Sequence, residues 1–317
     1  MAIAKYLDPK NDIAFKKIFG SEKNKDILIH FLNDILGSFK KNHIVDVEFL
    51  PTILNPETAI QKQSIVDVLC KDKNGAKYII EMQVSATKGF EKRAQYYAAK
   101  VYGDQARIGE EYHDLKEIIF LAIADYVIFP NKPHYKSDHI VLDKITYEHD
   151  LKDFFFTFIE LPKFNKNHEE LFSLEEKWCY FFKHAHQITE EDLKKIIGDD
   201  NIIHKAYTAL NQFHWTDEEL RAYEAMKREM MDQKAILEYK IDEGKAIGKV
   251  EGRIEGEAIG LEKGRIEGIE KEKMQTAKRL LQAGCGIDLI VQATDLPREQ
   301  IEDLKKYILE EPSAVNF

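Results

Sequence analysis

The chain has few of the residues that build disulfide frameworks or zinc clusters. Only three cysteines occur among 317 residues, and they lie far apart along the chain. Cysteines so separated form neither kind of site, which is typical of a reducing compartment. No apolar run is near the roughly 18 residues of a transmembrane helix, and the first residues lack the apolar core of a signal peptide. We therefore expect a cytoplasmic protein that does not span a membrane.

Positive charge is also scarce. Lysine and arginine total 46 against 56 aspartates and glutamates, a formal net charge of −10. This argues against a protein that coats nucleic acid through bulk positive charge, but it allows an enzyme with a local basic cleft. The histidines show no metal-binding spacing such as HExxH, so we interpret them as packing or surface residues. The 44% of hydrophobic residues can form a substantial core, and the length favours two domains or one with a large appendage.

The most informative segment is residues 64–85, SIVDVLCKDKNGAKYIIEMQVS. Two runs of alternating apolar and polar residues flank the turn 73–75 (KNG). This pattern predicts a β-hairpin, with the glycine in the left-handed position of a three-residue loop. Folding about that loop pairs residues whose numbers sum to 148, which places Asp67 opposite Glu81.

The predicted carboxylate pair needs a compensating interaction. Like charges opposed on a sheet cost up to about 1 kcal/mol, and more when they are buried. A shared proton or a divalent cation would compensate, and oxygen ligands suit Mg²⁺ or Mn²⁺. Gln83 lies two residues beyond Glu81 and points to the same face. The alternative is a register that differs by one residue, in which Asp67 is an ordinary hairpin charge facing solvent.

A helix is predicted before the hairpin, over residues 8–37, with a break near Gly20. Asp12 lies in its first turn, where the helix dipole favours an acidic residue. It is either such a charge or a third acid that leans toward the hairpin. Lys16 follows one turn later and belongs either to a solvated face or to a phosphate-binding site.

A second helix, over residues 87–107, is predicted after the hairpin. Arg93, Gln95 and Lys100 lie on its flanks, where they either cover the surface or reach the carboxylates and a bound phosphate. Further strands complete a mixed α/β core. The predicted strands are residues 44–54, 117–129, 140–148 and 154–161.

The C-terminal part is helical in pattern and unusual in its glycines. These recur every four residues: Gly244, Gly248, Gly252, Gly256, Gly260, Gly264 and Gly268. Each costs a helix about 1 kcal/mol relative to alanine. The segment is therefore either a flexible charged linker or a helix that packs closely against another helix.

Larger side chains help to decide between a linker and a packed helix. They follow an eleven-residue spacing: Ile247, Val250, Ile254, Ala258, Leu261, Arg265 and Ile269. That period favours a right-handed supercoil, and small residues let helices approach closely. We therefore favour a homo-oligomer formed through residues 242–270. Residues 274–309 predict three short helices whose last is acidic, which favours a packing or docking module over a DNA reader.

Several segments together resemble the PD-(D/E)XK nuclease family transposases, also described as recombination-promoting nucleases. The resemblance rests on DPKNDIAFKKIFG, on SIVDVLCKDKNGAKYIIEMQ and on FEKRAQYYAAKVYGDQARIGEEYHDLKEIIFLAI, and more loosely on the C-terminal segment. It implies an α/β PD-(D/E)XK restriction-endonuclease-like core, a mixed sheet flanked by helices, with an α-helical C-terminal extension. We accordingly expect a nuclease core over residues 1–165, a helical extension over 166–215, a long charged helix over 216–273 and a small helical module over 274–317.

The resemblance also implies roles for individual residues. Asp67 and Glu81 would bind Mg²⁺, or Mn²⁺, together with the Met82 carbonyl. Gln83 stands where the superfamily usually has lysine; it can orient a water molecule but supplies no charge. Asp12 would be the acid from the first helix. Residues implied to contact nucleic acid are Lys16, Arg93, Gln95 and Lys100.

Three functions remain open at this point. The first is a metal-dependent DNA endonuclease linked to recombination, transposition or mobile elements, with no small-molecule cofactor. The second is a catalytically weak nuclease fold that binds nucleic acid. The third is an assembly protein that works through its C-terminal helices.

Overall fold

The computed structural model describes residues 5–37, 43–54, 64–106, 111–198 and 200–310. It contains two compact units, Met1–Lys234 and Ala235–Phe317. The finer domain boundaries expected at residues 165, 215 and 273 stay predictions. Within the described ranges, no helix is both long enough and apolar enough to cross a membrane.

The first unit is built on a mixed β-sheet. The strands of the described ranges are β1 (Val47–Phe49), β2 (Ile53–Leu54), β3 (Ser64–Ile65), β4 (Val68–Asp72), β5 (Lys77–Gln83), β6 (Ile118–Ala124), β7 (Lys136–Ile140) and β8 (Phe154–Glu160). Six of them form one sheet in the order β1-β4-β5-β6-β8-β7, and β2 pairs separately with β3. Strands β5, β6 and β8 run parallel, whereas β1, β4 and β7 join antiparallel. The sheet is therefore mixed, as expected.

Helices cover both faces of this sheet. The α-helices of the described ranges are α1 (Asp12–Phe19), α2 (Lys25–Leu36), α3 (Phe90–Gly103), α4 (Leu174–His184), α5 (Glu190–Ile197), α6 (Asn201–Leu210), α7 (Asp217–Gln282), α8 (Ile287–Thr294) and α9 (Arg298–Glu310). The predicted break in the first helix is confirmed, because α1 ends at Phe19 and α2 begins at Lys25.

Alternate side chains of the strands enter two separate cores. On one face, Ile80 of β5 and Leu121 of β6 pack against α1, α2, α4 and α6, in a core rich in aromatic rings. On the other face, Ile79 and Phe120 pack against α3, which contributes Phe90 to that core. Burial on both faces explains why β6 is continuously apolar.

Two of the predicted strands differ from the structure. The strand expected over residues 44–54 is divided into β1 and β2, because Pro51 has no N–H to donate to a strand ladder. The strand expected over residues 140–148 is wrong. Its place in the sheet is taken by β7, which ends at Ile140, and the residues that follow lie outside any strand.

The second unit begins at Ala235, within α7, and contains the remainder of that helix followed by α8 and α9. Helix α7 runs without interruption through all seven of the regularly spaced glycines. Of the three short helices expected in residues 274–309, the last two are present as α8 and α9, whereas the first is the end of the continuous helix α7. They enclose a small core of Ala277, Ile290, Leu296 and Ile301.

Candidate functional site

The hairpin of β4 and β5 has the register predicted from the sequence. Leu69 pairs with Ile79 and Val68 with Ile80, so the paired numbers sum to 148 as expected. Gly75 has φ +88°, the left-handed conformation that the three-residue loop requires. This register decides which side chains meet at the open end of the hairpin.

Asp67 and Glu81 meet at that end, beyond the last regular pair of the ladder. Asp67 lies in a bend just before β4, and its N–H donates to Glu81 Oε1 at 3.2 Å. The Met82 N–H donates to Asp67 Oδ2 at 2.8 Å. Glu81 is only 3% exposed. The two carboxylates therefore lie side by side, and the register that would turn Asp67 to solvent is excluded.

Burial makes this pair reluctant to ionise. Burial is the main cause that raises the pKa of Glu81 to about 8, and the neighbouring Asp67 charge raises it further. Burial likewise raises the pKa of Asp67 to about 6, although the Met82 N–H opposes the shift. No lysine or arginine forms a salt bridge with either carboxylate within the described residues. The site thus holds two carboxyl groups whose protonated forms are favoured by burial and which form no salt bridge with a cationic side chain of the described residues.

Gln83 connects the pair to helix α3. Its Nε2 donates to Glu81 Oε2 at 2.9 Å, and its Oε1 accepts from Arg93 Nη2 at 2.6 Å. Arg93 lies in the first turn of α3, which begins at Phe90. The packing of α3 on the sheet face of Ile79 therefore brings Arg93 to the end of β5.

The first helix brings a further acid and a lysine near the pair. Asp12 and Lys16 form an ion pair across one helical turn, with 2.8 Å between Lys16 Nζ and Asp12 Oδ1. Their charges act on Asp67 in opposite directions, since Asp12 raises its pKa and Lys16 lowers it. Both predicted residues therefore lie within electrostatic reach of the Asp67 carboxylate.

Two predicted nucleic-acid contacts have other partners. Gln95 is exposed, and its Nε2 donates to the Glu91 carbonyl of its own helix at 3.0 Å. Lys100 Nζ donates to the Leu54 carbonyl at 2.9 Å, which ties α3 to β2. Neither contact is with the carboxylate pair, and a role for either residue in nucleic-acid binding stays a prediction.

Two features of the site were missed in the sequence. Burial raises the pKa of the Tyr97 phenol, the Arg93 charge lowers it, and the charges of Glu81 and Asp67 raise it, so the phenol lies within electrostatic reach of the pair. Its position one helical turn after Arg93 is the signal that could have indicated it. Asp125 follows β6; its N–H donates to the Gln83 carbonyl at 2.8 Å, and its carboxylate pairs with a lysine of the N-terminal segment, Lys10, at 2.9 Å.

The donors of this site fit a hard divalent cation. Within the described residues, no three His, Cys, Asp or Glu side chains are arranged to hold a metal ion. Mg²⁺, however, is usually bound through only one or two carboxylates and retains several waters. The N–H and C=O of one strand residue point to the same side, so the Met82 carbonyl faces Asp67 as its N–H does. Asp67, Glu81 and this carbonyl are all oxygen donors.

The fold and the site together define a class of protein. A mixed sheet flanked by helices, with Asp67 at the start of β4 and the segment 81–83 (EMQ) on the adjacent β5, is a PD-(D/E)XK restriction-endonuclease-like core. A family model described as PD-(D/E)XK nuclease family transposase matches residues 9–240, more than half of the chain. The chain therefore belongs to this family, which confirms the resemblance seen in the sequence.

Family membership supports a nuclease or mobile-element function with DNA as the substrate. PD-(D/E)XK nucleases generally use divalent metal ions. No curated protein and no solved structure matches the chain.

Proposed function

We propose that this protein is a Mg²⁺-dependent DNA endonuclease that hydrolyses phosphodiester bonds in recombination or transposition. The observation that carries the proposal is the adjacent pair of the half-buried Asp67 and the buried Glu81, neither of which forms a salt bridge with a cationic side chain of the described residues. An uncompensated pair of this kind costs stability. A bound proton would relieve this cost in the metal-free protein. A divalent cation would relieve it while both carboxylates are ionised, which is the state that the proposed function requires.

Asp67, Glu81 and the Met82 carbonyl would hold the cation. Once bound, Mg²⁺ or Mn²⁺ supplies Lewis acidity toward the phosphate and lowers the pKa of water. Of the chain's own groups, the Asp67 N–H and the Met82 N–H keep the two carboxylates in place. These two hydrogen bonds use only part of the accepting capacity of the carboxylates, so lone pairs remain to bind the ion.

Gln83 would orient the attacking water. Its Nε2 carries two N–H donors, of which one is used on Glu81. The other remains for a water molecule beside the carboxylate. Lys16 would offset phosphate charge, and Asp12 would hold Lys16 in reach of the site. The Arg93 charge would act from behind the Gln83 amide, to which Arg93 is hydrogen-bonded.

Cleavage of supercoiled plasmid tests this proposal. We expect nicking by the purified protein with Mg²⁺ or Mn²⁺ and none with EDTA. Asp67→Asn and Glu81→Gln should each lower the rate by about 100-fold or more, since each removes negative charge that binds the cation. Asp232→Asn is the matched control, because Asp232 is an exposed residue of α7. A wild-type protein that binds DNA but is as inert as Asp67→Asn would favour the binding-module function instead.

We also propose that residues 242–270 of α7 join copies of this chain. Large apolar side chains along this segment are exposed, with Ile247 53% and Ile254 59% accessible. A side chain added at any of its regularly spaced glycines would meet nothing within 4 Å. Exposed apolar residues beside small ones favour close packing against another helix.

A further inference from the structure

The carboxamide of Gln83 is fixed at both ends. Arg93 Nη2 donates to Gln83 Oε1 at 2.6 Å, and Gln83 Nε2 donates to Glu81 Oε2 at 2.9 Å. Arginine carries donors only, so the amide oxygen must face Arg93. The amide nitrogen is then turned to Glu81, which can accept its hydrogen bond. Arg93 therefore determines which way Gln83 points.

Arg93 is itself held in place by aromatic rings of its own helix. Its guanidinium carbon lies 5.0 Å from the centre of the Phe90 ring and 5.9 Å from that of Tyr97. Its Nε is buried and has no hydrogen-bond partner within the described residues. The guanidinium is thus partly removed from water, while the hydrogen bond that it gains is to the neutral Gln83 amide. Burying a charged group with so little compensation costs free energy.

The Arg93 charge also acts on both carboxylates. It lowers the pKa of Glu81 and that of Asp67, against the effect of burial. Arg93 nevertheless forms no salt bridge with either carboxylate within the described part of the chain, and the Gln83 amide lies between the guanidinium and Glu81. Its charge is therefore present in the site while the carboxylate lone pairs stay available.

We infer that Arg93 is the cationic positioning residue of this site and acts through the Gln83 amide. Arg93 fixes Gln83, which in turn fixes Glu81, and it supplies the positive charge that a glutamine lacks. The inference rests on the proposed nuclease function. It differs from a direct contact between Arg93 and the DNA phosphate, which would not depend on the residue at position 83.

A double-mutant cycle distinguishes positioning through Gln83 from direct contact between Arg93 and the DNA phosphate. We expect Arg93→Met to lower metal-dependent cleavage by about 100-fold in the wild-type background. In the Gln83→Lys background, the ammonium group brings its own charge, so the same substitution should cost less than about tenfold. Equal losses in both backgrounds would overturn the inference and favour direct phosphate binding. Lys92→Met, an exposed neighbour on α3, should change neither rate.

A second measurement does not depend on activity. In the full-length, metal-free protein labelled with ¹⁵N-glutamine, the Gln83 side-chain signal is assigned by its loss in Gln83→Lys. We expect the N–H proton that is hydrogen-bonded to Glu81 to exchange slowly with water in wild type and in Lys92→Met. Exchange should be at least about tenfold faster in Arg93→Met, and Arg93→Lys should restore part of the protection.

The two measurements distinguish the possible failures. Unchanged exchange in Arg93→Met would overturn the positioning role, whatever the cleavage rates. A wild-type protein that cleaves no DNA, but whose Gln83 protection depends on Arg93, would overturn the nuclease proposal and support the positioning contact.

Discussion

At the scale of single residues, burial dominates the chemistry of the carboxylate pair. Glu81 is almost fully buried, and Asp67 accepts a main-chain N–H at the edge of the hairpin. Burial raises the pKa of both groups, the Asp67 charge further raises the pKa of Glu81, and the Asp12 charge further raises that of Asp67; together these effects outweigh the hydrogen bonds that the two groups accept. A divalent cation would reverse this preference, so metal binding and proton release should be linked at this site.

The metal-free protein should therefore lose stability as pH rises. The folded-state pKa values of Asp67 and Glu81 are raised to about 6 and about 8, so their protonated forms stabilise the fold at low pH. That contribution is complete below about pH 4 and is lost as pH rises toward 8. We expect the Tm of wild type minus that of Glu81→Gln to fall by several degrees from pH 5 to pH 8, because only wild type must ionise a buried Glu81.

Added Mg²⁺ provides the control for this pH dependence. Because the ion binds the ionised carboxylates, it should raise the Tm of wild type more at pH 8 than at pH 5. It should have little effect on Glu81→Gln. A Tm difference that stays constant with pH would show that Glu81 is already ionised in the metal-free protein.

At the scale of elements, the hairpin holds the site and is itself held by Asp72. Asp72 Oδ1 accepts from the N–H groups of Asn74 and Ala76, and Oδ2 accepts from the Tyr78 hydroxyl at 3.0 Å. Asp72 is 8% exposed, so these hydrogen bonds are largely shielded from water. They stabilise the left-handed loop at Gly75 and with it the register of the hairpin, which brings the two carboxylates together.

Asp72→Ala should destabilise the protein by about 3 kcal/mol, because it removes the shielded hydrogen bonds that the Ala76 N–H and the Tyr78 hydroxyl donate to the Asp72 carboxylate. Urea denaturation measures the free energy of unfolding. Lys73→Ala, an exposed residue of the same loop, is the matched control and should change it by less than about 0.5 kcal/mol. A loss for Asp72→Ala no larger than that of Lys73→Ala would contradict the role assigned to Asp72.

At the scale of the whole molecule, the glycine-rich part of α7, residues 242–270, is exposed along its whole length. Its apolar side chains are exposed, and its glycines lower the intrinsic stability of the helix. Packing against a second copy of the chain would offset that cost.

Ile247→Gln together with Ile254→Gln should therefore shift the full-length protein from oligomer to monomer. Sedimentation velocity at matched concentrations measures the change. Glu251→Gln with Glu255→Gln is the control, since it introduces the same side chains on the same helix without removing apolar surface. If both double variants sediment as wild type does, the apolar residues do not form the interface.

Much of the site could be predicted because its geometry is local. A turn and two alternating runs give the hairpin register, and the register alone brings Asp67 to Glu81. The strand expected at residues 140–148 failed because a short apolar run does not specify whether a strand partner is available. Pro51 indicated that residues 44–54 would divide into two strands, but the apolar pattern of the segment was given more weight and a single strand was predicted.

The sequence by itself determined the alternation of β4 and β5, the loop glycine and the family, since these depend on residues close together in the chain. Only the tertiary structure decided which basic residue of α3 reaches the carboxylates. Arg93 and Lys100 both lie on the flanks of that helix, yet Arg93 contacts Gln83 and Lys100 contacts the Leu54 carbonyl. The way α3 packs on the sheet face of Ile79 makes this choice, and burial in the folded protein raises the pKa values of the pair. Helix packing and burial depend on contacts between distant segments, which no local pattern specifies.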